Sequence, residues 1–309
     1  MTTAQAAGLS TTAFSLVLLA GLIHALWNIA AKKAGGDARF ACFTALVMMV
    51  VWAPVGAWVG WDVVPQWGVL EWSFIAGSGV LHVLYYVTLL RGYRRADLTV
   101  VYPLARGTGP LLSSLAALLL LGESISSTGA LGIAGVVGGV FLIAGGPQFL
   151  ADWRRVDAST PEQVAQQRRR NAGLRYGVLI GAFIASYTVV DGYAVKMLFL
   201  SPILVDYLGN FVRLVFLVPA VVRDRPTAWS LWRKQWKYAV VVGVISPVSY
   251  VLVLYAMQTA PLSHVAPARE VSMLFAALIG GHLLGEGDRW LRLLGAVLIA
   301  GGVMALGLA

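Results

Sequence analysis

The sequence predicts an all-α polytopic membrane protein with ten transmembrane helices in two inverted five-helix repeats. Composition, an internal repeat and the distribution of charge each point there. Of the 309 residues 59% are hydrophobic and 12% charged, with a mean hydropathy of +0.77, outside the range of ordinary soluble domains. A helical crossing needs roughly 20 apolar residues. Ten runs qualify: 13–31, 40–60, 72–90, 98–121, 130–146, 174–194, 202–222, 238–257, 262–284 and 291–308.

The repeat is visible residue by residue. The fourth run and its exit, LTVVYPLARGTGPLLSSLAALLLLGE (98–123), are answered by LSHVAPAREVSMLFAALIGGHLLGE (262–286). Tyr86, Leu90, Ala96, Leu98 and Pro103 recur 164 residues later as Tyr250, Leu254, Ala260, Leu262 and Pro267. After a one-residue deletion, Arg106, Gly122, Glu123, Gly132, Gly138 and Gly139 recur 163 later as Arg269, Gly285, Glu286, Gly295, Gly301 and Gly302. With an odd number of spans per half, the second copy enters the membrane upside down. The predicted division is a first repeat at 1–146, a cytoplasmic linker at 147–173 and a second repeat at 174–309.

Charge inverts with the repeat. Of the 23 Lys and Arg residues, 19 lie in alternate connections, which the positive-inside rule makes cytoplasmic. Both termini are then expected to face the periplasm or exterior of the inner membrane. The basic connections are the first and third of one half but the second and fourth of the other. Inverted repeats of this kind are an architecture of secondary transporters, which bind substrate near mid-membrane between the halves. The net charge of +9 sits between spans rather than in an aromatic-interleaved patch, which argues against nucleic acid as a partner. A single cysteine, Cys42, precludes an internal disulfide and a cysteine metal site.

Taken in order, the first run has no basic leader and is followed by Lys32 and Lys33, which suits an uncleaved span; it carries Trp27 and Asn28. The third run places Ser78, His82 and Tyr86 at i, i+4 and i+8 on one helix face. The fourth carries Tyr102, Pro103 and Arg106. The glycines of the fifth and tenth runs suit close helix contact, within a monomer or across a homodimer. In the linker, Thr160 and Pro161 read as an N-cap and first helical residue, and Arg168 to Arg170 suit lipid headgroups. The sixth run holds Tyr187, Thr188 and Asp191. The seventh holds Asp206, Asn210 and Arg213 on one face, read as an internal ion-pair network. Ser246 and Tyr250 in the eighth echo the third run, and the ninth holds Pro267, Arg269 and Glu270.

A charge at mid-bilayer costs on the order of 3 kcal/mol on insertion scales, so Arg106, Arg269 and Glu270 need partners or a wet cavity. Pro103 and Pro267 cannot donate the helical hydrogen bond, and kinks are expected at the depth of the arginines. Their repeat relation could bring the arginines to opposite walls of one cavity. Two readings stand: the guanidiniums hold an anionic group of a substrate, or they bond carbonyls and Glu270 and brace the bundle. Glu270, whose repeat partner is Gly107, either titrates or neutralises Arg269. Trp27, His82, Tyr86, Tyr102, Tyr187 and Tyr250 either line a pocket for an amphipathic small molecule or bond between helices. The segment from Arg106 to Pro110 lacks the Lys-Ser/Thr of a phosphate loop, and neither an ATP site nor another cofactor is expected.

With its ten runs in two halves, the His-Ala-Leu-Trp-Asn segment from His24 to Asn28, and the Pro and Gly-Glu marks of the fourth and ninth runs, the chain resembles the EamA family of the drug/metabolite transporter superfamily. The resemblance spans nearly the whole sequence. It implies a metabolite transporter, often an exporter of amino acids or related molecules, with a central cavity lined by both halves. Glu270 and the Arg-rich linker depart from a general family pattern. The expected function is secondary transport by alternating access of a small amphipathic, anionic or zwitterionic metabolite, coupled to a proton, an ion or the substrate gradient. The alternative is an intramembrane enzyme acting on a lipid or peptide, with Ser78 and His82 as nucleophile and base.

Overall fold

The computed structural model describes residues 8–96, 98–146, 150, 161–284 and 289–309. Every long regular element among them is helical: α1 (Thr11–Ala34), α2 (Ala38–Val51), α3 (Ala53–Gly60), α4 (Val69–Arg95), α5 (Leu98–Leu120), α6 (Ser127–Ile143), α7 (Pro161–Lys196), α8 (Pro202–Val222), α9 (Arg225–Thr259), α10 (Leu262–Ala268), α11 (Val271–Leu284) and α12 (Arg289–Leu308). Five of these, α1, α4, α7, α8 and α9, are long and apolar enough to cross a membrane, and the bent pair α2–α3 makes a possible sixth. Trp58, Leu119, Phe199 and Trp290 each expose more than 80% of their surface. Apolar side chains shown outward in such number suit lipid rather than water. The chain is a polytopic membrane protein.

Each predicted run falls on helix, but three differ in form. The second is broken at Trp52, where α2 and α3 meet at 54°; Pro54 in the first turn of α3 cannot continue the hydrogen-bond ladder of α2. The ninth is broken after Ala268. The sixth begins far earlier than the apolar run, because α7 starts at Pro161 and carries the second half of the linker into the span as one 36-residue helix. Pro161 holds the first helical position, as expected, whereas Thr160, the expected cap, lies outside the described residues, as do Gly285 and Glu286.

The chain packs as two compact units, each drawing on both sequence halves. The first comprises residues 1–11, 84–189 and 260–309. Its tightest seam joins α6 to α12. A Cβ on Gly139 would stand 2.5 Å from the carbonyl oxygen of Gly295, and one on Gly302 would stand 2.7 Å from that of Gly132. Only glycine lets the backbones approach so closely. The expected role of these glycines in helix contact holds here within the chain; Gly138 and Gly301 face open space.

In the same unit, α10 is held onto α5 by two polar devices. Pro267 has no N–H to give to the carbonyl of Ser263, one turn earlier, and the Ser114 hydroxyl of α5 donates to that carbonyl instead at 2.9 Å. The Glu123 carboxylate accepts from the N–H groups of Leu262 and Ser263, both at 2.8 Å. These are orphan donors of the first turn of α10. Gly122, at φ +65°, turns the chain so that Glu123 can reach them. Part of the repeated Gly-Glu mark is thus a helix cap.

The second unit comprises residues 12–83 and 190–259. Its centre is α2, against which α8 and α9 pack. Phe40, Ala239 and Val242 form a buried core beside Phe43 and Trp232. Side-chain donors reach backbone carbonyls across these helices: Asn210 to Ala45 at 3.0 Å, Tyr207 to Met49 at 3.2 Å and Trp52 to Val244 at 3.2 Å. In an apolar surrounding such bonds, with close van der Waals packing, replace the hydrophobic drive that lipid removes.

Candidate substrate site

In the first unit, the break between α10 and α11 builds a charged cluster. After Pro267 the ladder tightens: the Glu270 N–H donates to Pro267 at 3.0 Å, Ser272 to Arg269 at 3.2 Å and Met273 to Glu270 at 2.8 Å, each spanning three residues rather than four. A short 3₁₀-like stretch inside a helical run often marks a functional site. It turns Arg269 and Glu270 inward.

Glu270, 2% exposed, is approached by both repeat-related arginines. Arg106 Nη1 lies 3.3 Å from Oε2, and Arg269 Nε lies 3.7 Å from Oε1. The guanidinium of Arg106 stands 5.8 Å from the Tyr102 ring centre and that of Arg269 stands 6.0 Å from the Tyr187 ring, distances at which a cation is drawn to the π face. Tyr187 meets Tyr85 edge to face at 5.8 Å, and the Tyr102 hydroxyl donates to Met273 Sδ at 3.9 Å. Arg106, Arg269, Glu270, Tyr102 and Tyr187 therefore come together. Two guanidiniums thus share one carboxylate, and these three groups together carry a formal charge of +1. The carboxylate is closed off, whereas the Arg106 and Arg269 side chains retain 24% and 14% exposure. A Cβ on Gly107, next to Arg106, would meet no atom within 4 Å.

In the second unit, His82 and Tyr250 meet edge to face at 5.8 Å. His82 Nδ1 donates to the Ser78 carbonyl at 2.9 Å; a carbonyl only accepts, so this nitrogen carries the hydrogen. The Tyr250 hydroxyl donates to Asp191 Oδ2. Trp27 Nε1 donates to the hydroxyl of Ser249, the neighbour of Tyr250, at 3.1 Å, so its indole N–H ties α1 to α9. The expected ion pair in the seventh run is present, with Arg213 on Asp206 at 2.9 Å; Asn210 is outside it, bonded to Ala45. Tyr86 lies half-buried on α4 in the first unit.

Sequence reasoning passed over Tyr85, whose neighbour Tyr86 had the repeat partner, and Met273, an apolar residue in an apolar run. It gave Asp191 no role beyond lining a pocket or bonding between helices. Burial of a carboxylate inside a span was the available signal.

The model of the EamA-like transporter family matches this chain twice, over residues 11–145 and 171–308. Among curated proteins none matches the sequence. One solved crystal structure aligns over 96% of this chain and 97% of its own, with a TM-score of 0.71 at 17% identity. At that identity the likeness is one of fold.

Proposed function

Since the chain belongs to the EamA-like transporter family, we propose that it is a secondary transporter, acting as an exporter, of a small amphipathic anionic or zwitterionic metabolite such as an amino acid. The observation that carries this reading is the cluster of Arg106, Glu270 and Arg269, in which two guanidiniums meet one carboxylate beside tyrosine faces. An isolated structural ion pair would neutralise itself. Here two guanidiniums meet one carboxylate, and the carboxylate or phosphate of a substrate can engage their donors in a forked geometry. Tyr102 and Tyr187 offer the apolar faces that an amphipathic molecule requires.

Transport follows alternating access in an inner-membrane protein of ten spans with both termini outside, driven by a proton, an ion or the substrate gradient. Counterflow of a radiolabelled amino-acid mixture into proteoliposomes tests the reading. Arg106→Gln is expected to abolish counterflow while the protein still inserts and elutes as a folded species. Full activity in that variant would remove the site assignment; chemical change of the recovered label would point to an enzyme. Overproduction in cells should raise resistance to toxic amino-acid analogues if the direction is outward, and sensitise them if it is inward.

A further inference from the structure

Among the described residues three buried carboxylates lie within the helical runs, and they differ in their partners. Glu270 has Arg106 and Arg269. Asp206 has Arg213. Asp191, 0% exposed on α7, has no ion-pair partner among the described residues. Its Oδ2 accepts from the Tyr250 hydroxyl, and among the described residues Oδ1 is buried with no hydrogen-bond partner.

An ionised carboxylate in that position would be penalised twice, for losing water and for an oxygen left unbonded. The titratable and charged groups that face it do not supply a cation. From α8, Arg213 is within electrostatic reach but its charge is committed to Asp206, which is also in reach and opposes it. From α9 comes the neutral Tyr250, and from α4 comes His82, whose ring lies edge to face against Tyr250. A metal ion would need several oxygen ligands, and no group of three or more His, Cys, Asp or Glu gathers among the described residues. The smallest cation meets the need, because a proton on Oδ1 removes the charge that burial penalises.

We infer that Asp191 is the proton-carrying carboxyl of the transport cycle, bound as the acid when closed off between α4 and α9 and releasing its proton to water when transport opens this packing. The step is a proton transfer alone: the carboxylate oxygen Oδ1 gains a proton from water and later returns it. The inference rests on the transporter reading above and gives its coupling ion. It assigns the role to Asp191 rather than Glu270, whose carboxylate is paired with two arginines.

Infrared spectroscopy of the full chain in lipid nanodiscs tests it without a substrate. The wild type should show a carboxylic-acid C=O stretch that is lost in Asp191→Asn. Tyr250→Phe, which keeps the carboxyl but removes its donor, should shift the band without abolishing it, and this variant serves if Asp191→Asn fails to fold. A band unchanged in both variants, or absent from the wild type, overturns the inference. In proteoliposomes with a trapped pH dye and sodium-free buffer, a gradient of mixed amino acids should drive proton movement in the wild type and none in Asp191→Asn. Amino-acid flux without proton movement in the wild type, or with normal proton movement in Asp191→Asn, overturns it while leaving the transporter reading intact. Should the wild type carry no amino acid, that failure belongs to the substrate reading, and the infrared result decides Asp191 by itself.

Discussion

Glu270 is the residue on which the first cluster turns, since it is shared by Arg106 of α5 and Arg269 of the α10–α11 break. Removing its charge with Glu270→Gln leaves two guanidiniums facing each other in a mostly closed site. Breaking a buried pair costs about 3–5 kcal/mol, and the low end applies because both arginines keep some exposure. Thermal unfolding in detergent should show that loss; an unchanged melting temperature would mean that Glu270 does not hold the arginines. Gly107 tests the complementary property, the space beside Arg106. Because its Cβ would meet nothing within 4 Å, Gly107→Leu should fold with ordinary stability yet block amino-acid counterflow by filling that space. Normal counterflow would show that the space is not on the substrate's path.

At the level of elements, the α6–α12 seam and the α10–α11 break do opposite things. The seam is fixed by glycines whose replacement would drive a side chain into backbone. A Cβ on Gly139 would also fall 2.8 Å from Ile299 Cγ1, and overpacking of this kind costs about 1–3 kcal/mol. Gly139→Leu should therefore lower the melting temperature, while Gly138→Leu, one residue away and facing open space, should not. Equal effects would refute the seam. The break, in contrast, is held by exchangeable hydrogen bonds, from Ser114 and Glu123 on one side and a short 3₁₀-like turn on the other. It positions charge where a continuous helix would spread it around its circumference.

Across the whole chain, apolar composition and family placement agree on a membrane transporter, and the polar connections carry their own stabilising contacts. Arg39 bridges Asp37 and Asp224, both at 2.8 Å, joining the turn before α2 to the turn before α9 within the second unit. Partial burial pushes the Asp37 carboxyl up, but the hydrogen bonds and charge of Arg39 outweigh it and hold the group below its usual 3.8. Asp224 is also lowered, first by the Thr227 side chain and then by Arg39. A carboxyl with a depressed folded value stabilises the protein above the unfolded value and loses that contribution as pH falls through the folded one. The melting temperature should accordingly drop as pH is taken below 3.8, with a shallower slope in Arg39→Ala; parallel slopes would deny the bridge any part. Asp224 is exposed and Asp37 partly so, and salt should weaken the effect.

The sequence by itself determined the membrane character, the places of the helical runs, the repeat that pairs Arg106 with Arg269, and the ion pair of Asp206 with Arg213. Those follow from hydropathy, covalent order and spacing along one helix, all of which are local. Only the tertiary structure decided that both arginines converge on Glu270, that Tyr85 meets Tyr187, that Glu123 caps α10, and that Asp191 is buried against the Tyr250 hydroxyl. Each is a meeting of side chains far apart in sequence. Such meetings depend on which helix faces pack together and how closely glycine lets them approach, and no linear pattern of apolar and polar residues specifies that.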